Sequence, residues 1–177
     1  ILNKLNVPYK KSNDIFNETA SMLVEGLIIG WFQGGAEFGP RALGNRSILT
    51  KPFPSEMKDI INSRVKFREH FRPFAPAVLI EKYKDYFDLT QESPHMLIAV
   101  NARDDNRERI SSTVHVDGSA RAQTVSKDSN IRFWSLINAF NDMTGTPVLL
   151  NTSFNIKGQP IVNNPKDAVE TFLTTNI

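Results

Sequence analysis

Short apolar runs alternating with amphipathic stretches predict an α/β (α+β-like) protein, a mixed twisted β-sheet flanked by helices. The runs at 27–32 and 147–150 are continuous and apolar and are followed by Gly, Pro or Asn, as suits buried strands. The stretches at 15–24 and 131–143 repeat apolar side chains at helical spacing. With 40% of 177 residues hydrophobic and 23% charged, the chain has enough apolar surface to bury a core, and disordered, collagen-like and coiled-coil classes are excluded.

Taken in order, Ser12 or Asp14 caps a helix carrying Ile15, Phe16, Ala20, Leu23 and Val24 and ending at Gly26. Residues 27–32 form a strand, after which Gly34, Gly35, Gly39 and Pro40 demand a loop. Residues 47–50 read as strand, and Ser55 caps a helix over 56–64 with Met57, Ile60 and Ile61 inward. Residues 75–80 and 95–100 read as strands with a short helix at 83–87 between them; 103–109 is a solvated loop and 114–125 is extended with a bend at Gly118. The helix at 131–143 stops at Thr144-Gly145, the strand at 147–150 runs into Asn151-Thr152-Ser153-Phe154-Asn155, and Asn164-Pro165 starts a last helix through Phe172. With no repeat or low-complexity tract, residues 1–12 are expected to be a linker and 13–177 one domain. The start at Ile1 and the end at Ile177 lead to the expectation of a piece of a longer polypeptide, truncated at its C-terminus.

The absence of cysteine excludes a disulfide scaffold, a thiolate zinc site and a cysteine nucleophile. Three scattered histidines (His70, His95, His115) argue against a multi-histidine metal site. No apolar run reaches the roughly 18–20 residues of a membrane span, so a cytoplasmic protein is expected, without a membrane partner. The net charge of +2 is too small to point to nucleic acid, but its distribution is uneven. Between Arg41 and Arg72 eight Lys or Arg stand against three acids.

Four segments could carry chemistry. The stretch from Gly34 to Ser47 places glycines after a strand together with Arg41 and Arg46, two guanidiniums able to pair with phosphate oxygens, and it matches neither a P-loop nor a dinucleotide fingerprint. A tight turn with surface arginines explains it equally well. Lys66-Phe67-Arg68, read as extended, puts Lys66, Arg68 and His70 on one face and buries Phe67 and Phe71 on the other. Such a face calls for an anionic guest, or is a solvated basic surface. His115-Val116-Asp117-Gly118-Ser119-Ala120-Arg121-Ala122-Gln123-Thr124, if extended, lines up five polar side chains with Arg121 among small neighbours, which reads as a pocket wall or as an exposed strand. Asn151, Ser153 and Asn155 follow the end of a buried strand, where ligands bind in α/β sheets, and the alternative is a turn that ties off its own backbone. Without a nucleophile elbow and a matched base, Ser153 makes a poor nucleophile.

Together, these segments and Phe71-Arg72-Pro73-Phe74-Ala75-Pro76 resemble the C-terminal domain of the NodU/CmcH-type carbamoyltransferases, from about Gly26 to the end. The resemblance implies a YrdC-like fold with a cationic central cavity, in which Lys-x-Arg and Ser-x-Asn elements bind ATP phosphates; Lys66-Phe67-Arg68 and Ser153-Phe154-Asn155 match those elements. It further implies that ATP and carbamoyl phosphate give carbamoyl adenylate, with magnesium on the triphosphate although no acid stands out as its ligand. A separate N-terminal, actin-like, metal-binding domain would then carbamoylate a hydroxyl. In that scheme Lys66 and Arg68 hold ATP and carbamoyl-phosphate oxygens, Arg121 holds the phosphate or adenylate, and Arg41 and Arg46 neutralise phosphates at the rim. Asn151 and Ser153 hydrogen-bond the nucleotide or carbamoyl group, and Asn155 completes the pattern. The competing readings are an RNA-binding module, betrayed by salt-steep binding indifferent to ATP, and an inactive regulatory domain, for which loss of Lys66 or Ser153 would be the sign. A homodimer is the further partner expectation.

Overall fold

The computed structural model describes residues 2–4, 6–175 and 177. Of the expected linker, Ile1 and Leu5 lie outside the described residues, and its other residues form no helix or strand. Five strands, β1 (Ile29–Phe32), β2 (Arg46–Thr50), β3 (Ala75–Leu79), β6 (Gln123–Val125) and β7 (Val148–Ser153), form one mixed sheet in the order β1-β2-β7-β3-β6. All neighbours are antiparallel except β3 and β6. The small strands β4 (Val100–Asn101) and β5 (Ser119–Ala120) pair separately.

The sheet is covered on both faces, which is why its central strands are apolar on both sides. Helices α1 (Ile15–Val24) and α4 (Lys127–Thr144) bury Ala20, Leu23, Phe133, Leu136, Ile137 and Phe140 against Leu49, Ala77, Leu79 and Leu149. On the other face α2 (Glu56–Ile61) and α5 (Pro165–Leu173) bring Ile61 and Ala168 to Ile48 and Leu150, while α3 (Tyr83–Tyr86) brings Tyr83 and Tyr86 to Val78 and Val148. Each such fully buried Leu, Ile or Phe contributes about 1.5–3 kcal/mol relative to exposure. Among the described residues no helix is long and apolar enough to cross a membrane.

The expected caps are present at Asp14, whose Oδ1 accepts the Asn17 amide at 3.2 Å, and at Asn164, which forms a reciprocal capping box with Asp167. The helix expected from 131 begins at Lys127, but Asn130 breaks the backbone at φ −155° and its Oδ1 caps the Phe133 amide at 3.1 Å, so a single turn precedes the main helix. Other expectations are corrected. The 27–32 strand starts at Ile29, because Leu27 is half exposed beyond its neighbour β2. The strand expected at 95–100 shrinks to Val100–Asn101, since Met96 takes φ +56° and turns the chain. The 114–125 run is interrupted by a turn at Gly118, with φ +83°.

Candidate functional site

The largest departure from expectation lies at Lys66-Phe67-Arg68, which is not extended. After Ile61, α2 widens into a π-helical turn, Asn62–Lys66, and Phe67 closes it at φ +47°, a costly conformation for a bulky side chain. Phe67 and Phe71 are exposed instead of buried, and His70 turns toward Asp59, 3.6 Å away. Strained backbone of this kind persists where surrounding structure fixes it. The fixing residue is Asn62, fully buried: its Nδ2 donates to the carbonyls of His70 and Arg72 at 3.3 and 3.1 Å, and its Oδ1 accepts from Arg68 Nε at 2.8 Å.

This turn delivers Lys66, 5% exposed, to the end of β7. Lys66 Nζ donates toward Ser153 O at 2.5 Å, Asn155 Oδ1 at 2.9 Å, Asn155 O at 3.0 Å and Ser153 Oγ at 3.2 Å. Ser153 Oγ donates to Asn155 Oδ1 at 2.7 Å. The Lys-x-Arg and Ser-x-Asn elements, 87 positions apart from Lys66 to Ser153, therefore meet. With Glu69, Arg72 and Lys157 they line a cleft of about 250 Å³ in which four cations face one acid. Burial and then the neighbouring Arg68 charge push the Lys66 ammonium down to about 7. Arg68 itself is lowered by burial and then by Arg72, and its guanidinium lies 4.7 Å from the Phe74 ring centre. Cations that depress one another in a half-dry cleft favour an anionic ligand.

Arg121 and Arg41, both exposed, do not line that cleft. They line a second one, of about 370 Å³, with Phe74, Met96, His115, Asp117 and Ser119. The linings of the two clefts touch where the Arg68 guanidinium of the first lies over the Phe74 ring of the second, 4.7 Å from its centre, so two neighbouring hollows replace the single cavity expected. Asn151 holds them together. It is 1% exposed, and its Nδ2 donates to Ala42 O and to Gln123 Oε1, both at 3.0 Å, while Gln123 Nε2 donates to Leu43 O at 2.9 Å. The segments carrying Arg41 and Arg121 are thereby tied to β7, which sits in register with Ala75 at Asn151. Asn151 is thus placed inside the sheet, its buried Oδ1 without a partner among the described residues.

Arg46 is not at a rim. It is 4% exposed, packs over Phe32 at 3.7 Å, and donates to the carbonyls of Gln33, Asn45, Gly34 and Asn163 at 2.8–3.3 Å. Its guanidinium fastens the glycine-rich loop, as does Glu37, whose Oε1 accepts the amides of Leu43, Asn45 and Arg46 at 2.6, 2.8 and 3.2 Å. Sequence reasoning gave no site role to Arg72, Lys157, Asn62, Gln123 or Glu37. The clustered charge between Arg41 and Arg72 pointed to the first; Gln123 stood on the polar face read for 115–124 and Glu37 inside the glycine-rich segment, while nothing local marked Asn62 or Lys157.

The family model described as "Carbamoyltransferase C-terminus" matches residues 20–177. The chain belongs to the carbamoyltransferase C-terminal family. Relatives include the nodulation protein NolNO of Sinorhizobium fredii (strain NBRC 101917 / NGR234), 49% identical over 97% of this chain and 26% of that protein. Another is the 3'-hydroxymethylcephem-O-carbamoyltransferase of Streptomyces clavuligerus, 42% identical over 85% of this chain and 28% of that protein. A crystal structure of full-length HypF in its phosphate- and nucleotide-bound form superposes with a TM-score of 0.62 at 16% identity, covering 88% of this chain and 22% of HypF. T. kodakarensis HypF superposes at 0.61 with 17% identity, covering 93% of this chain and 20% of that one. These structures share the fold, YrdC-like as expected. The chain spans only about a quarter of the length of NolNO.

Proposed function

We propose that this domain binds ATP and carbamoyl phosphate and joins carbamate to the α-phosphate as carbamoyl adenylate, releasing pyrophosphate. A further portion of the parent carbamoyltransferase then transfers the carbamoyl group to a hydroxyl. The observation that carries this reading is the first cleft, where Lys66 is bonded to the Ser153–Asn155 turn and Arg68, Arg72 and Lys157 line the same hollow, with Glu69, 3.0 Å from Arg72 Nε, the one acid among them. Phosphoryl chemistry of this type needs positioned cations more than a protein nucleophile. Lys66 is held by Ser153 and Asn155 so that its charge meets phosphate oxygens without a rotamer search, and Arg68 is oriented by Asn62 and Phe74 for the same task. Arg121 and Arg41 supply a second anion position next door, suited to the phosphate of carbamoyl phosphate.

Among the described residues no three His, Cys, Asp or Glu come together as a metal site. Glu69 and Asp117 are the acids of the two clefts, so magnesium would arrive on the triphosphate and be held chiefly by its oxygens, neutralising charge there. The test is pyrophosphate release from ATP in the presence of carbamoyl phosphate. Lys66→Ala and Arg121→Ala are each expected to lower it by at least about 100-fold, with far-ultraviolet circular dichroism unchanged. Unaltered turnover in both variants would refute the assignment.

A further inference from the structure

The phosphate-holding roles above leave one constellation of the second cleft without a task, the turn at residues 115–119. His115 and Asp117 line that cleft beside Arg41, Ser119 and Arg121. The backbone fixes them tightly: the His115 amide donates to Ser119 O at 2.8 Å, and the Gly118 amide to His115 O at 2.9 Å. Gly118 takes φ +83°, which glycine adopts without strain. Asp117 Oδ1 accepts the Ser119 amide at 2.9 Å and stands 3.3 Å from His115 Nδ1. Hydrogen bonds from Ser119, and a smaller one from His115, keep the Asp117 carboxyl below the usual carboxylate range. A carboxylate at Nδ1 holds the ring proton there and leaves Nε2 as the basic atom, the division of labour seen wherever an acid orients a histidine base.

Adenylation consumes carbamate, whereas the donor is carbamoyl phosphate, so water must first split the donor, by attack at the carbamoyl carbon or at phosphorus, and either route needs a base for the water proton. Guanidiniums steady the departing phosphate but accept no proton. We propose that His115, oriented by Asp117, is the general base of this cleavage, with Arg41 and Arg121 holding the phosphate that leaves. The inference rests on the reading given under Proposed function and adds to it a residue and a step. The water oxygen bonds to the carbamoyl carbon while His115 Nε2 takes one of its protons. The bond from that carbon to the bridging oxygen breaks, and its electron pair departs with the phosphate, which receives the second water proton. Carbamate and hydrogen phosphate result, and His115 returns its proton to solvent. Water is the only co-reactant. Carbamate then moves from this cleft to the neighbouring one, past the Arg68–Phe74 contact, to meet the ATP phosphates.

The experiment compares two feeds in the full chain: ATP with carbamoyl phosphate, and ATP with ammonium bicarbonate, which equilibrates with carbamate and bypasses the cleavage. His115→Asn is expected to lower phosphate release, and pyrophosphate release on the first feed, by roughly 10²–10⁴-fold, the usual worth of a general base. Pyrophosphate release on the second feed should stay within about threefold of wild type, because no proton has to be taken from water. Asp117→Asn should show the same split with a smaller loss. Wild-type phosphate release in His115→Asn, or an equal loss on both feeds, overturns the general-base role while leaving adenylation standing. A wild-type chain that releases pyrophosphate on neither feed overturns the underlying adenylation reading, and the inference with it.

Discussion

Lys66 stands almost out of water with four oxygen acceptors around its Nζ and no carboxylate among them. Burial and Arg68 bring its ammonium down to about 7, against 10.5 for an ordinary lysine. A phosphate oxygen placed beside Nζ favours the charged form and moves that value back up. The sign of the linkage follows: at pH 8 the free protein holds Lys66 largely deprotonated, so binding an anion takes up a proton, whereas at pH 6 the proton is already there. Calorimetry of pyrophosphate binding in buffers of different ionisation enthalpy should give an uptake near one proton at pH 8, falling toward zero at pH 6. A proton count that does not change with pH contradicts the role given to this amine. Charge balance could not be read from the spacing of Lys66 and Arg68, because it depends on Arg72 and Lys157 arriving from other turns.

At the scale of elements, two devices aim the cations. The π-helical widening of α2 shifts Lys66 onto the sheet end, and Asn62 pins the loop that follows. The second device is the glycine-rich loop after β1, which Arg46, Glu37 and Gln33 fasten from inside, with Gln33 Nε2 donating to Gly44 O at 2.7 Å. Gly44 has φ +106°, and a Cβ there would overlap the Phe133 ring of α4. Gly44→Ala should therefore cost about 3 kcal/mol, combining left-handed strain with overpacking, measurable as a lowered urea midpoint with unchanged slope. A variant as stable as the parent would show that the loop packs otherwise than described. The strands β3 and β7 were legible because central strands covered on both faces are written as apolar runs. The π turn was not, since the buried Met57, Ile61 and Val65 fall four residues apart, a spacing that an ordinary helix also shows, and an Asn such as Asn62 looks like any surface amide. The 95–100 run failed for the complementary reason: its side chains cover a cleft wall at Met96 and Ala99, so they are apolar without pairing in a ladder.

For the molecule as a whole, topology brings remote segments together. Placing β7 between β2 and β3 sets the Ser153–Asn155 turn against the end of α2, and the parallel pairing of β3 with β6 carries Arg121 to the Arg41 loop through Gln123 and Asn151. The motifs announced that these residues belong together, and the fold explains how, in two adjoining clefts instead of one. The domain spans 26–31% of the nodulation relatives NolNO and NolO. The claim on which everything depends is that the Lys66 cleft is where the nucleotide phosphates bind. Isothermal titration of ATP into the chain and into Lys66→Ala addresses it directly. Saturable binding that weakens by at least about 100-fold in the variant, or about 2.7 kcal/mol, is the predicted result; equal affinity in the two proteins would contradict it.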